Sequence, residues 1–259
     1  MQALPVREFQ VDNARVYVYP SKLDTSQAAA REAASLLRGT RAQRGSARII
    51  VGTGNSQDDM IATLVQEPDL DWGHIEVFHM DEYVGMAMDH PASFRRWLKT
   101  HLVDVVHPAK AHYLAGDAQD LSEECARYAA LLHLAPVDIC FIGFGENGHI
   151  AFNDPGVADF HDPRAIKRVA MDVRCRRQQV GEGHFPNLEE MPREALTLTC
   201  PELLRAEHLI CTVPDQRKAE AVHSALTGPV TEGCPSSVVR THPAVSIYLD
   251  AGSASLLAP

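Results

Sequence analysis

The chain has 259 residues, 45% of them hydrophobic, and a formal net charge of -10 at pH 7. That length supports a sizeable core and fits one α/β domain over 1–259. With no basic block to offset it, the acidic balance argues against a nucleic-acid or anionic-membrane partner, yet it leaves a phosphorylated small molecule open, because repulsion is screened beyond about 8 Å at physiological salt.

The six cysteines, Cys125, Cys140, Cys175, Cys200, Cys211 and Cys234, are scattered without a CxxC pair. They read as reduced, mostly packed thiols of a cytoplasmic protein, and they give no metal site. Arg7, Glu8, Asp12 and Arg15 occupy the region where a signal peptide needs an apolar stretch. No run approaches the roughly 18 apolar residues of a membrane span.

Val16 to Tyr19 is a run of β-formers stopped by Pro20 and reads as an early strand. Gln27 to Arg38, with Ala29, Ala33, Leu36 and Leu37 on one side, reads as an amphipathic helix closed by Gly39. Ala47 to Val51 is the next strand, followed by Gly52-Thr53-Gly54-Asn55-Ser56 and a helical stretch from Gln57 to Val65. A strand running through such a loop into a helix can present backbone N–H groups and hydroxyls to an anion. It is neither a GxGxxG fingerprint nor a P-loop, since the lysine of the latter is missing; an ordinary strand-to-helix turn is the plain alternative.

His74 to Met80 alternates as a third strand and ends in Asp81-Glu82. Adjacent residues at a strand end point to opposite sides, so at most one of these carboxylates faces a site. Ser93 to Val103 and Asp120 to Leu132 read as helices, the second capped by Asp120. Ile139 to Ile142 is a short apolar run meeting Gly143 and Gly145, the pattern of a buried parallel strand entering a tight turn. Directly after it, Glu146, Asn147, His149, Asn153 and Asp154 crowd into nine positions, where a loop beyond a strand's carboxyl end presents them to a ligand.

Between Pro155 and Pro186 the chain is dense in charge, with Arg164, Arg168, Arg174, Arg176 and Arg177, and weak in periodicity. It reads as a mobile lid over about 155–187 that brings cations over a pocket. Ala195 to Thr199, His208 to Val213 and Ala244 to Leu249 are further strands, and Asp215 to Lys218 opens a helix ended by Gly228. Strands alternate with helices throughout, so the economical architecture is a single doubly wound, mainly parallel, Rossmann-like sheet with helices on both faces. Its ligand then binds beyond the carboxyl strand ends.

Two segments, Phe78 to Gly85 continued by His90 to Phe94, and Gly143 to Pro155, resemble the signature segments of the glucosamine-6-phosphate isomerase family, that of glucosamine-6-phosphate deaminase. The similarity extends over nearly the whole chain. It implies conversion of glucosamine 6-phosphate and water to fructose 6-phosphate and ammonia, with a sugar phosphate as the partner and without a cofactor or metal; it leaves room for a homo-oligomer. By the resemblance, His149 opens the sugar ring, Asn147 and Asp154 orient it, Asp81 is the enolisation base, and Glu82 is structural. An aspartate is ordinarily ionised at pH 7 and ready to accept a proton. Phosphate holding resembles the family at Gly54, Asn55, Ser56 and Lys218, with Thr53 close by.

Three positions depart from the family pattern. Asp154 is one methylene shorter than the family's glutamate, Asn147 stands where some members have aspartate, and Gln178-Gln179 fall near the arginine that clamps phosphate, with Arg176 or Arg177 available to substitute. These departures leave a related amino-sugar or ketose phosphate as an alternative substrate, whereas a 6-phosphogluconolactonase would not need the segment around Asp81. A sugar-phosphate sensor in a transcription regulator would carry a DNA-binding helix that this chain does not show.

Overall fold

The computed structural model describes residues 3–258. From the amino end come β1 (Arg7–Val11), β2 (Ala14–Tyr19), α1 (Lys22–Arg44), β3 (Ala47–Val51), α2 (Asp58–Leu64), β4 (Ile75–His79), β5 (Asp81–Tyr83) and α3 (Phe94–Leu98). A π-helical stretch joins α3 to α4 (Asp104–Val106), and β6 (Lys110–Ala111), α5 (Leu121–Leu132), β7 (Ile139–Ile142) and β8 (Ile166–Ala170) follow. The carboxyl part holds α6 (Val173–Gly181), β9 (Glu194–Leu198), α7 (Cys200–Leu203), β10 (His208–Val213), α8 (Ala219–Thr227) and β11 (Val245–Asp250).

Eight strands form one sheet in the order β1-β2-β11-β10-β7-β3-β4-β6, parallel throughout except for the β1–β2 pair. Side chains alternate along each strand, and this sets the layers. Ile49, Val51, Ile139, Phe141 and Ile210 pack with α1 and α2 on one face, whereas Ile50, Cys140, Ile142, Leu209 and Cys211 pack with α5 and α8 on the other. Both faces are therefore buried, which is why these strands read as continuous apolar runs.

The helix expected to close at Gly39 runs on to Arg44. A glycine inside a helix costs only about 1 kcal/mol, less than breaking a helix whose flanking turns pack well. The stop comes at Gly45, whose φ of +80° supplies the left-handed cap and whose N–H bonds the Arg41 carbonyl.

A second sheet was not foreseen. β5, β9 and β8 form three antiparallel strands in that order, so Ala195 to Leu198 does not join the main sheet. The Leu198 N–H bonds the Met80 carbonyl at 2.8 Å, which turns the chain out of β4 into the second sheet. The polar stretch read as a lid over about 155–187 supplies β8 and α6. Together with β5 they cover a separate small core of Tyr83, Phe94, Phe152, Cys175, Phe185 and Met191.

Glu82 joins the two sheets to α3. Fully buried, its carboxylate accepts from Ser93 Oγ at 2.6 Å, from the backbone N–H groups of Tyr83, Phe94 and Arg95, and from Arg95 Nε at 3.2 Å. Replacing Glu82 with alanine strands these donors and removes one of the two carboxylates that face the buried Arg95 guanidinium, the other being Asp117, so we expect a loss of about 3 kcal/mol or more in urea unfolding. A loss under about 1 kcal/mol would show that the α3 terminus holds without it.

Candidate active site

The carboxyl ends of β3, β4, β7 and β10 meet where the strand order reverses, with β7 between β3 and β10. Open α/β sheets bind ligands at such a crevice. Here the cleft is lined by Thr53 to Gln57 after β3, Met80 and Asp81 after β4, Gly143 to Gly145 and His149 after β7, and Lys218 after β10.

The β7 loop builds around the His149 ring. Nδ1 lies 2.7 Å from Asn147 Oδ1 and 3.1 Å from Asp154 Oδ1. Both are acceptors, so Nδ1 carries the proton and Nε2 is left to exchange one with a ligand. Asn147 Nδ2 donates to Asp154 Oδ1 at 2.9 Å, and the Asp172 N–H donates to Asp154 Oδ2 at 2.9 Å. Burial pushes the Asp154 carboxyl up, but His149 and these donors bring it below the usual aspartate value, and it stays ionised. The shorter carboxylate thus reaches the imidazole. Gly145 is required by the same arrangement, because a Cβ there would stand 2.1 Å from His149 Cε1.

Asp81 has a different environment. It is 6% exposed, and its side chain has no hydrogen-bond or ion-pair partner among the described residues. Burial, followed by the charge of Glu82, pushes its carboxyl well above the ordinary 3.8. The expectation of a plainly ionised aspartate is corrected accordingly: this group holds its proton more tightly than a solvated one. Its backbone is fixed by His79. The Leu114 N–H donates to His79 Nε2 at 2.9 Å, so Nδ1 is the protonated nitrogen and donates to the Asp81 carbonyl at 2.9 Å. Burial pushes the His79 imidazole down to about 4, and it is neutral.

At the far end, Thr53 Oγ1 and Gln57 Oε1 are buried without a partner among the described residues, and Gly54 takes a φ of +120° that favours glycine. Lys22 Nζ holds this loop from behind by donating to the Asn55 carbonyl at 3.2 Å. The following α2 contributes less than its position suggested, since it is two turns long and opens with Asp58-Asp59. Lys218 is 4% exposed. Burial lowers its ammonium, against the opposing charges of Glu182 and Glu146.

The arginines expected over the cleft are elsewhere. Helical spacing puts Cys175, Gln178 and Gln179 on the inner side of α6, with Glu182 at its C-cap, whereas Arg174 and Arg177 are exposed. Arg176 donates to the carbonyls of Leu188 and Met191. Neither Arg176 nor Arg177 lines the cleft. In their place come two amides and a carboxylate. Gln178 Oε1 accepts from the Glu146 N–H at 2.9 Å, and Gln179 Oε1 accepts from Tyr83 Oη at 2.9 Å, leaving the Gln179 amide nitrogen as a neutral donor.

The structure therefore brings Asp81, His149, Thr53, Gly54, Asn55, Ser56 and Lys218 to one cleft, with Asn147 and Asp154 behind the imidazole. Glu182, Gln57 and His79 escaped the sequence reading. The helical phase of 175, 178, 179 and 182 was the only available trace of Glu182. Among the described residues, the donors grouped for a metal are His149, Asp154 and Cys175, whose ligand atoms lie within 4.8 Å of one another. Burial pushes the Cys175 thiol well up, and His149 Nδ1 already faces Asp154 Oδ1 at 3.1 Å.

A family model described as glucosamine-6-phosphate isomerases/6-phosphogluconolactonase matches residues 20–247. Among curated relatives, a glucosamine-6-phosphate deaminase of Exiguobacterium sibiricum is 35% identical over 188 residues, 73% of each chain. Another, of Bacillus cytotoxicus, is 34% identical over 214 residues, 82% of this chain and 79% of its own. Among solved structures, a monomeric glucosamine-6-phosphate deaminase matches with a TM-score of 0.86 at 28% identity, covering 93% of this chain and 99% of that one. A 6-phosphogluconolactonase from Trypanosoma brucei, with a TM-score of 0.75 at 17% identity over 97% of this chain and all of its own, shares the fold alone.

The raised Asp81 carboxyl has a consequence for stability. Above 3.8 the unfolded chain ionises this group while the folded state resists, so the penalty grows as pH rises. Asp81→Asn should therefore raise the Tm at pH 7, by a margin that shrinks as pH falls toward 3.8. A lower Tm at pH 7 would mean that the carboxylate is a stabilising group.

Proposed function

This chain belongs to the glucosamine-6-phosphate isomerase/6-phosphogluconolactonase family, and on that premise we propose how it acts. It converts glucosamine 6-phosphate and water to fructose 6-phosphate and ammonia. The reaction consists of proton transfers and a hydration, so it calls for no redox partner. One observation carries the reading: a partnerless buried carboxylate and an oriented imidazole line the same cleft as a buried ammonium.

Ring opening comes first. His149 Nε2 takes the proton of the anomeric hydroxyl and returns it to the ring oxygen, while Asn147 and Asp154 hold Nδ1–H and stabilise the transient imidazolium. Asp81 then takes the C2 proton. The C2–H electrons form the C1–C2 double bond as the C1 carbonyl pair moves onto O1, which takes a proton from the ammonium to give an enolamine; return of the Asp81-held proton to C1 draws the nitrogen lone pair into a C2 iminium. Water adds at C2 and the nitrogen departs as ammonia.

A carboxyl whose proton affinity is raised by burial is better matched to this transfer than a solvated aspartate. The substrate's cationic amine, arriving beside it, both favours the carboxylate and acidifies the C2 proton.

Phosphate is read at Lys218, Ser56, Thr53 and the Gly54–Asn55 backbone. Binding of that remote group positions C1 and C2 without entering the chemistry. All these residues come from one chain, so the reading requires no second copy. Free cysteines, four of them buried, and the lack among the described residues of a helix able to cross a membrane support a cytoplasmic setting.

Ammonia release from a panel of hexosamine 6-phosphates and their unphosphorylated counterparts tests the activity. Asp81→Asn should lower kcat by about 100 to 10,000-fold while the sugar phosphate still binds. Lys218→Ala should raise KM far more than it lowers kcat. Hydrolysis of a 6-phosphosugar lactone with no ammonia from any hexosamine phosphate would move the chain to the family's other branch.

A further inference from the structure

Lys218 faces a carboxylate of its own chain. Its Nζ lies 3.7 Å from Glu182 Oε1, and both side chains are nearly dry, 5% and 7% exposed. No other carboxylate approaches this ammonium within 4.0 Å among the described residues. Glu182 is held in place from its other side. Gln178 Nε2 donates to it at 2.9 Å, His184 Nε2 lies 3.7 Å away, and Gln178 is itself anchored on the Glu146 N–H.

Helix α6 and its C-cap residue Glu182 therefore contribute to this wall two neutral amides, which bear no charge, and one carboxylate, whose charge opposes that of a phosphate. Burial pushes the Glu182 carboxyl up, but His184 and Lys218 bring it below the usual value, so it is ionised. A substrate phosphate at Lys218 would have to share one ammonium with this carboxylate in a desolvated space. Two anions on one cation repel at close range, and that repulsion grows as water leaves.

We propose that Glu182 is a resident counter-ion for Lys218, displaced when substrate phosphate enters, and that it thereby sets how weakly or tightly the anion end binds. This rests on the reading of Lys218 as the phosphate anchor. Glu182 neutralises a buried ammonium that would otherwise be stranded, and each phosphate-bearing ligand must break that pair. Glu182 is thus a specificity-determining residue for the anion end and takes no part in proton transfer.

The test uses inorganic phosphate as the probe, by calorimetry and as a competitive inhibitor of ammonia release, on the wild-type chain, Glu182→Gln, Glu182→Ser and Lys218→Ala. Glu182→Gln retains an acceptor for Gln178 and removes only the charge; Glu182→Ser repeats the test without a large amide. Both should tighten phosphate by about 5-fold or more, lower KM for glucosamine 6-phosphate in parallel, and leave binding of unphosphorylated glucosamine unchanged. Unchanged or weaker phosphate binding in both folded variants overturns the proposal while Lys218 keeps its role. A raised KM for phosphorylated and unphosphorylated sugar alike would make Glu182 a ligand of the sugar hydroxyls, which also overturns it. If Lys218→Ala binds phosphate as well as the wild type does, the anchor reading itself fails.

Discussion

A buried carboxylate left without a partner is the constraint around which this site is built. Proteins ordinarily pair or hydrogen-bond such a group, and Glu82, one residue along, meets that rule fully. Asp81 does not. The alternation of a strand sends the two side chains to opposite sides, one into the α3 terminus and one into the cleft. His79, kept neutral by burial, fixes the backbone between them without offering Asp81 a charge. Had His79 been cationic, it would have stabilised the Asp81 carboxylate and weakened it as a base.

The imidazole obeys the opposite logic. Every partner of His149 Nδ1 is satisfied, and the partners are themselves tied to the backbone of Asp172 and to each other. Asn147 in place of an acid changes little in this geometry, because its carbonyl oxygen accepts from Nδ1 and its amide nitrogen donates to Asp154. Only one carboxylate then stands behind the ring, which holds the proton on Nδ1 without adding a second negative charge to the pocket. The missing methylene of Asp154 is absorbed because the loop turns tightly from Ile150 to Asn153, with Ala151 at a φ of +50°.

How much of this was legible depended on which physical rule dominated locally. Strands β3, β7, β10 and β11 are buried on both faces, so their apolar runs are conspicuous, and the polar loops after the first three mark the cleft. Gly145 announced close approach, though not to what. The second sheet was hidden because β9 is as apolar as the strands of the main sheet; its partners are set by the Met80 carbonyl, and a composition cannot express that. α6 was misread for a related reason. Its arginines dominate the sequence, but a nine-residue helix sorts them by phase, and the phase is fixed by packing against Tyr83 and Phe152 rather than by charge.

That sorting also explains how an acidic chain presents an anion site without a strong positive field. A guanidinium in the α6 wall would form a bidentate clamp and add a permanent charge. An amide from Gln179 supplies donors without charge, and Glu182 cancels Lys218 until a ligand competes for it. The anion end is then close to neutral when empty and offers hydrogen bonds from Thr53, Ser56 and the loop backbone when filled. Binding at such an end depends on geometry more than on long-range attraction, so discrimination falls on how well a phosphate fits the Thr53 to Ser56 loop. In a cleft whose other end must hold an unpaired carboxylate, a strong fixed cation nearby would draw Asp81 into the ionised state before substrate arrives. The muted charge at Lys218 leaves the substrate's own amine as the group that shifts that equilibrium.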